Sequence, residues 1–109
     1  MVKLQIKKLF NPVLEVLHKI GKEATVYEIK EEVIKLLNLP QSEIDDVLNN
    51  SRNRLDYNLT WVRNYLKRFG LIQNTERGKW SLTSKGVVTT TLENDDIKKI
   101  MKLKQKIRI

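Results

Sequence analysis

Leu55, Leu59, Val62, Leu66 and Phe69 recur at steps of four and three residues, and Gly70 follows directly. That spacing suits an α-helix laying one edge along a core, and a glycine just past the last apolar residue is a common helix stop. At about 100° per residue, Asn53, Tyr57, Thr60, Asn64, Lys67 and Arg68 fall on the side away from the stripe, with Trp61, Arg63 and Tyr65 on its flanks. Past Gly70 the period changes. Leu71-Ile72-Gln73-Asn74 and Lys79-Trp80-Ser81-Leu82-Thr83, with Trp80 and Leu82 alternating against polar neighbours, read as two strands. Thr75-Glu76-Arg77-Gly78 lies between them, and Gly78 supplies the positive φ that a tight hairpin turn usually needs.

Upstream the same reasoning yields helices. Leu9, Val13, Val16, Leu17 and Ile20 fall at helical spacing, with Pro12 tolerable in a first turn and Gly21 at the end. Thr25 and Glu28 have the spacing of a capping box ahead of Ile29, Val33, Leu36 and Leu37, which predicts a second helix stopped by Pro40. Ser42 is expected to cap a short third helix with Ile44, Val47 and Leu48 facing the core and Asn49, Asn50 and Ser51 closing it. Helices followed by a hairpin define an α+β, mainly helical class: a winged helix-turn-helix of three to four helices plus a β-hairpin wing. It is expected over residues 1–86. Residues 87–109 are expected to form a linker or basic C-terminal extension, and the run from Ile97 onward fits an amphipathic helix and an alternating strand equally well.

Composition excludes several classes of function. There is no cysteine and a single histidine, His18, so neither a disulfide framework nor a zinc site is available, and no metal or cofactor is expected. His18 is expected to be a surface or half-buried helix residue with no function of its own. No apolar run approaches the roughly 18 residues that span a bilayer, and the start MVKLQIKKLF is too charged for a signal peptide. The expectation is a cytoplasmic protein with no membrane partner.

The net charge of +8 is unevenly sorted. Residues 23–51 carry seven acids and two bases, residues 52–86 carry eight bases and two acids, and residues 97–109 carry six bases and no acid. Positive charge thus coincides with the helix and hairpin that a winged helix presents to a duplex. Arg63, Lys67 and Arg68 are expected to reach phosphates, Thr60 or Asn64 to reach base edges, and Arg77 and Lys79 to meet backbone or minor groove from the wing. Trp61 and Trp80, at helical and strand spacing, are expected in the core. The basic tail could grip phosphates, bridge to another domain or lie on an anionic membrane, a linker helix being the simplest reading.

The run Asn58 to Ile72, continuing through Arg77-Gly78-Lys79-Trp80-Ser81-Leu82-Thr83 to Gly86, resembles the N-terminal domain of Mrr-type restriction endonucleases. The likeness extends upstream to Pro12-Val13-Leu14 and Leu39-Pro40-Gln41-Ser42-Glu43, so it covers about residues 9 to 86. It implies a winged helix that engages DNA, joined in that family to a separate nuclease domain that cuts DNA bearing modified bases. Such nucleases need metal-holding carboxylates and a Glu-x-Lys or similar motif. Glu28-Ile29-Lys30 has those residue types but falls in the capped second helix, where residues two apart do not share a face. The chain is therefore expected to bind double-stranded DNA and not to be an enzyme itself. Still open are whether the duplex is methylated, whether the chain forms a homodimer, whether a nuclease domain follows in cis, and whether it is instead a free-standing transcriptional regulator or a winged helix used for protein–protein contact.

Overall fold

The computed structural model describes residues 6–48 and 52–107, with side chains through Lys102. A 3-10 turn, Ile6–Leu9, leads into α1, Phe10–Ile20. This helix buries Phe10, Val13, Leu14, Val16 and Leu17 and ends where Gly21 donates its N–H to Leu17 O at 3.0 Å. A two-residue strand, β1 (Ala24–Thr25), precedes α2, Val26–Leu37. The capping box forms: Glu28 N donates to Thr25 Oγ1 at 3.0 Å, and Thr25 N donates to Glu28 Oε1 at 2.8 Å. These bonds satisfy two backbone donors that a bare helix start leaves open, and a cap of this kind contributes about 1 kcal/mol.

The third helix departs from expectation. α3 is a single turn, Gln41–Ile44, that buries none of its residues. It starts after Pro40, whose carbonyl accepts from Glu43 N and Ile44 N, so Ser42 lies inside the turn and is not its cap. Val47 is exposed and Ile44 and Leu48 are half-buried, not core. The short turn is held from the next helix instead: Asn53 Nδ2 donates to Ile44 O at 2.7 Å, and Arg54 Nε meets Asp46 Oδ2 at 2.8 Å. The expected closure at Asn49, Asn50 and Ser51 lies outside the described residues.

α4 spans Arg54–Arg68, capped by Asn53, whose side chain accepts from Asp56 N at 3.0 Å. Leu55, Leu59, Val62 and Leu66 are buried as the stripe required. The hairpin follows as β2 (Ile72–Glu76) and β3 (Lys79–Leu82), with Gly78 at φ 77° in the tip. β1 adds to β3, giving an antiparallel sheet in the order β1-β3-β2. The ladder is irregular between Asn74 and Glu76. There Asn74 Nδ2 donates to Glu76 O at 2.8 Å and to Lys79 O at 2.7 Å, which fixes the shape of the tip.

α5 is one turn, Ser84–Val87. Gly86 within it is so close to the chain turning into β2 that an added Cβ would stand 2.0 Å from Leu71 O. α6, Asn94–Ile107, settles the open question of the tail as helix. Leu92, Ile97 and Ile100 are buried in the same core as residues of α1 and α4. The whole is α+β and mainly helical, an arrangement compatible with a winged helix.

Candidate nucleic-acid interface

α4 carries its charge asymmetrically. Asp56 stands in the first turn and binds Lys30 of α2 at 2.8 Å, whereas Lys67 and Arg68 stand exposed in the last turn, immediately before the hairpin. The helix dipole favours this polarity by some 0.3–1 kcal/mol per charge, which is reason enough for two bases at that end. It does not explain Arg77, exposed at the tip of the hairpin. Between helix and hairpin, the buried Leu71 and Ile72 fix the base of β2 against the core.

The other expected site residues are placed unequally. Asn64 is half-buried. Thr60 is also half-buried, and its hydroxyl is engaged within the helix: it donates to Asp56 O at 2.8 Å and accepts from Arg63 Nη2 at 3.2 Å. Lys79 sits at the foot of the tip with its ammonium 3.7 Å from both Glu23 and Glu76, so two carboxylates offset its charge.

Arg63 departs furthest from the expected phosphate contact at the surface. It is 6% exposed, its guanidinium lies 5.7 Å from the centre of the Trp80 ring, and burial pushes its pKa below the usual arginine value. The reason is positional: Arg63 comes four residues after Leu59 and three before Leu66, which places it on the buried stripe itself. Trp80 is buried as expected, but Trp61 is only half-buried. It belongs to an aromatic row along α4, 6.3 Å from Tyr57 and 6.0 Å from Tyr65, which in turn packs 5.8 Å from Phe10.

Sequence reasoning overlooked Arg52. It is exposed just ahead of the α4 cap, with its guanidinium 5.2 Å from the centre of the Tyr57 ring, and a base next to an N-cap followed by an aromatic was the available signal. Lys85 is committed elsewhere: its ammonium donates to Phe69 O at 3.1 Å, at the C-terminal end of α4. Glu28 and Lys30 are likewise engaged, one in the α2 cap and the other with Asp56. Among the described residues no three His, Cys, Asp or Glu side chains gather as a metal site would need, and no helix is long and apolar enough to cross a membrane.

No curated protein and no solved structure matches the chain. The family model of the Mrr N-terminal domain matches residues 7–91, which include α1 through α5, the whole sheet and every expected site residue. The chain therefore belongs to the family of Mrr N-terminal domains.

Proposed function

We propose that the chain is a winged-helix module that binds double-stranded DNA, serving as the recognition part of an Mrr-like restriction protein in the cytoplasm. In this reading α4 lies in the major groove and the β2–β3 hairpin is the wing. Arg52, Lys67, Arg68 and Arg77 neutralise phosphates, and Asn64 offers an amide to an adenine edge. The observation that carries the reading is the joint placement of exposed Lys67 and Arg68 in the last turn of α4 and exposed Arg77 on the ribbon that follows it. The helix dipole favours Lys67 and Arg68 where they stand, but it does not call for Arg77 on the ribbon beside them. Lys79, held between Glu23 and Glu76, orders the tip more than it serves DNA. Glu28 is engaged in the α2 cap and Lys30 with Asp56.

Charge removal tests the proposal. Replacing Lys67 and Arg68 together by Gln is expected to weaken binding to a mixed-sequence duplex by more than about tenfold, and Lys35→Gln, on exposed α2 surface, by less than about twofold. Equal effects from the two would refute the assignment of α4 as the DNA-facing helix.

A further inference from the structure

Arg63 is a cation in a place that does not need one. Its side chain lies on the buried stripe of α4, against the Trp80 ring of β3, two residues past Gly78, and Nη2 makes one long hydrogen bond to Thr60 Oγ1, at 3.2 Å. Nε and Nη1 are fully buried and have no hydrogen-bond partner among the described residues. The nearest carboxylate on the same helix, Asp56, is already bound to Lys30 at 2.8 Å. Burying a guanidinium without a carboxylate of its own is costly, and an apolar side chain of similar length would fill the same space at no such cost. The stacking on Trp80 offsets part of that penalty. The balance leaves the folded-back guanidinium less well satisfied than a phosphate would leave it.

The neighbour that accepts from Arg63 also shows its way out. Thr60 is half-buried one turn back, at the border between the stripe and the polar side of α4. Rotation of the long arginine side chain past Thr60 brings the guanidinium to the face that carries Asn64 and Lys67. A phosphate there accepts two parallel N–H bonds, from Nη2 together with Nε or with Nη1, so that a donor unpartnered in the free domain gains an acceptor.

We propose that Arg63 is a stored phosphate contact: it lies folded back on Trp80 in the free domain and swings out past Thr60 to bind a DNA phosphate when a duplex docks on α4. The inference rests on the DNA-binding reading and adds a residue that the free surface hides. Because its departure uncovers one face of Trp80, occupation of the major groove is reported to β3 of the wing.

The test is Arg63→Met, measured by thermal unfolding and by fluorescence anisotropy with a labelled mixed-sequence duplex of about 20 base pairs, two helical turns, across about 50 to 200 mM salt. Expected are a melting temperature equal to or above that of the parent, binding about tenfold weaker, and a log–log salt slope shallower by about 0.9, the value for one phosphate contact. In the unmodified chain, the Trp80 indole N–H and Arg63 Nε–H resonances are expected to shift on duplex addition, a readout independent of the variant's folding.

If Arg63→Met binds with the parent's affinity and slope while Lys67→Gln weakens binding, or if neither resonance moves at saturation, Arg63 is structural and this proposal is wrong while DNA binding stands. A loss of affinity with an unchanged slope also overturns the phosphate contact. If the parent chain fails to bind the duplex at about 50 mM salt, the reading on which the proposal rests falls with it.

Discussion

Asn11 of α1 and Leu92 hold each other as two strands would: the Asn11 side chain donates to Leu92 O at 3.0 Å and accepts from Leu92 N at 2.7 Å. One amide thereby satisfies both backbone groups of a residue whose side chain is in the core. His18, two turns further along the same helix, repeats the device, with Nε2 at 2.9 Å from Thr89 O. For the carbonyl to accept, Nε2 must carry the hydrogen. These two α1 side chains fasten the segment that leads from the sheet into α6.

Asn11→Leu is accordingly expected to destabilise the domain by about 2 kcal/mol, since each buried group left unpaired costs about 1–3 kcal/mol. Urea unfolding measures it. A loss below about 0.5 kcal/mol would show that the 89–92 segment is not held in this way.

Gly86 supplies a second prediction, this one of close approach. With Leu71 O at 2.0 Å and Leu82 Cδ2 at 3.2 Å from where a Cβ would stand, Gly86→Ala requires the backbone of α5 or of Leu71 to move. Overpacking of this kind costs about 1–3 kcal/mol. Gly78→Ala, in open space at φ 77°, is expected to cost nearer 1 kcal/mol through the left-handed backbone alone. Thermal unfolding of the two variants ranks them, and the reverse order would contradict the packing described at Gly86.

The hairpin separates two bases that look equivalent in sequence. Arg77 is exposed, whereas the ammonium of Lys79 stands between two carboxylates. If Arg77 meets a phosphate as proposed, Arg77→Ala is expected to weaken duplex binding about tenfold and Lys79→Ala less than threefold, because the second side chain is held by its own carboxylates. Glu23→Gln, which frees part of the Lys79 charge, is expected to raise affinity about twofold. Anisotropy titrations at low salt compare all three.

The elements whose signals are local and periodic are legible in the sequence. The stripe from Leu55 to Phe69, the Thr25–Glu28 box and the glycine at the hairpin tip each carry their reason within a few residues, and each stands where expected. Sequence reasoning fails where a distant partner decides. Residue type makes Ser42 look like a cap, but Pro40 with its fixed φ starts the turn, and Asn53, nine residues after Ile44, holds it. Ile97 and Ile100 cannot be joined to the core without knowing that Asn11 and His18 draw the preceding segment onto α1. At the candidate site, Lys67, Arg68 and Arg77 follow from helical angle and turn position. Arg63 shares the angle of the stripe, and its charge conceals that it packs like an apolar residue against Trp80.

If exposed bases on α4 and the hairpin tip meet the phosphates of a duplex, binding must respond to salt. The most direct measurement is the affinity of the unmodified chain for a mixed-sequence duplex as salt is raised from about 50 to 200 mM. With Arg52, Lys67, Arg68 and Arg77 in contact, log affinity is predicted to fall linearly with log salt with a slope of about −3 to −4, steeper by about one if Arg63 joins them. Absence of binding at the lowest salt, or an affinity that does not change across the range, would contradict the account.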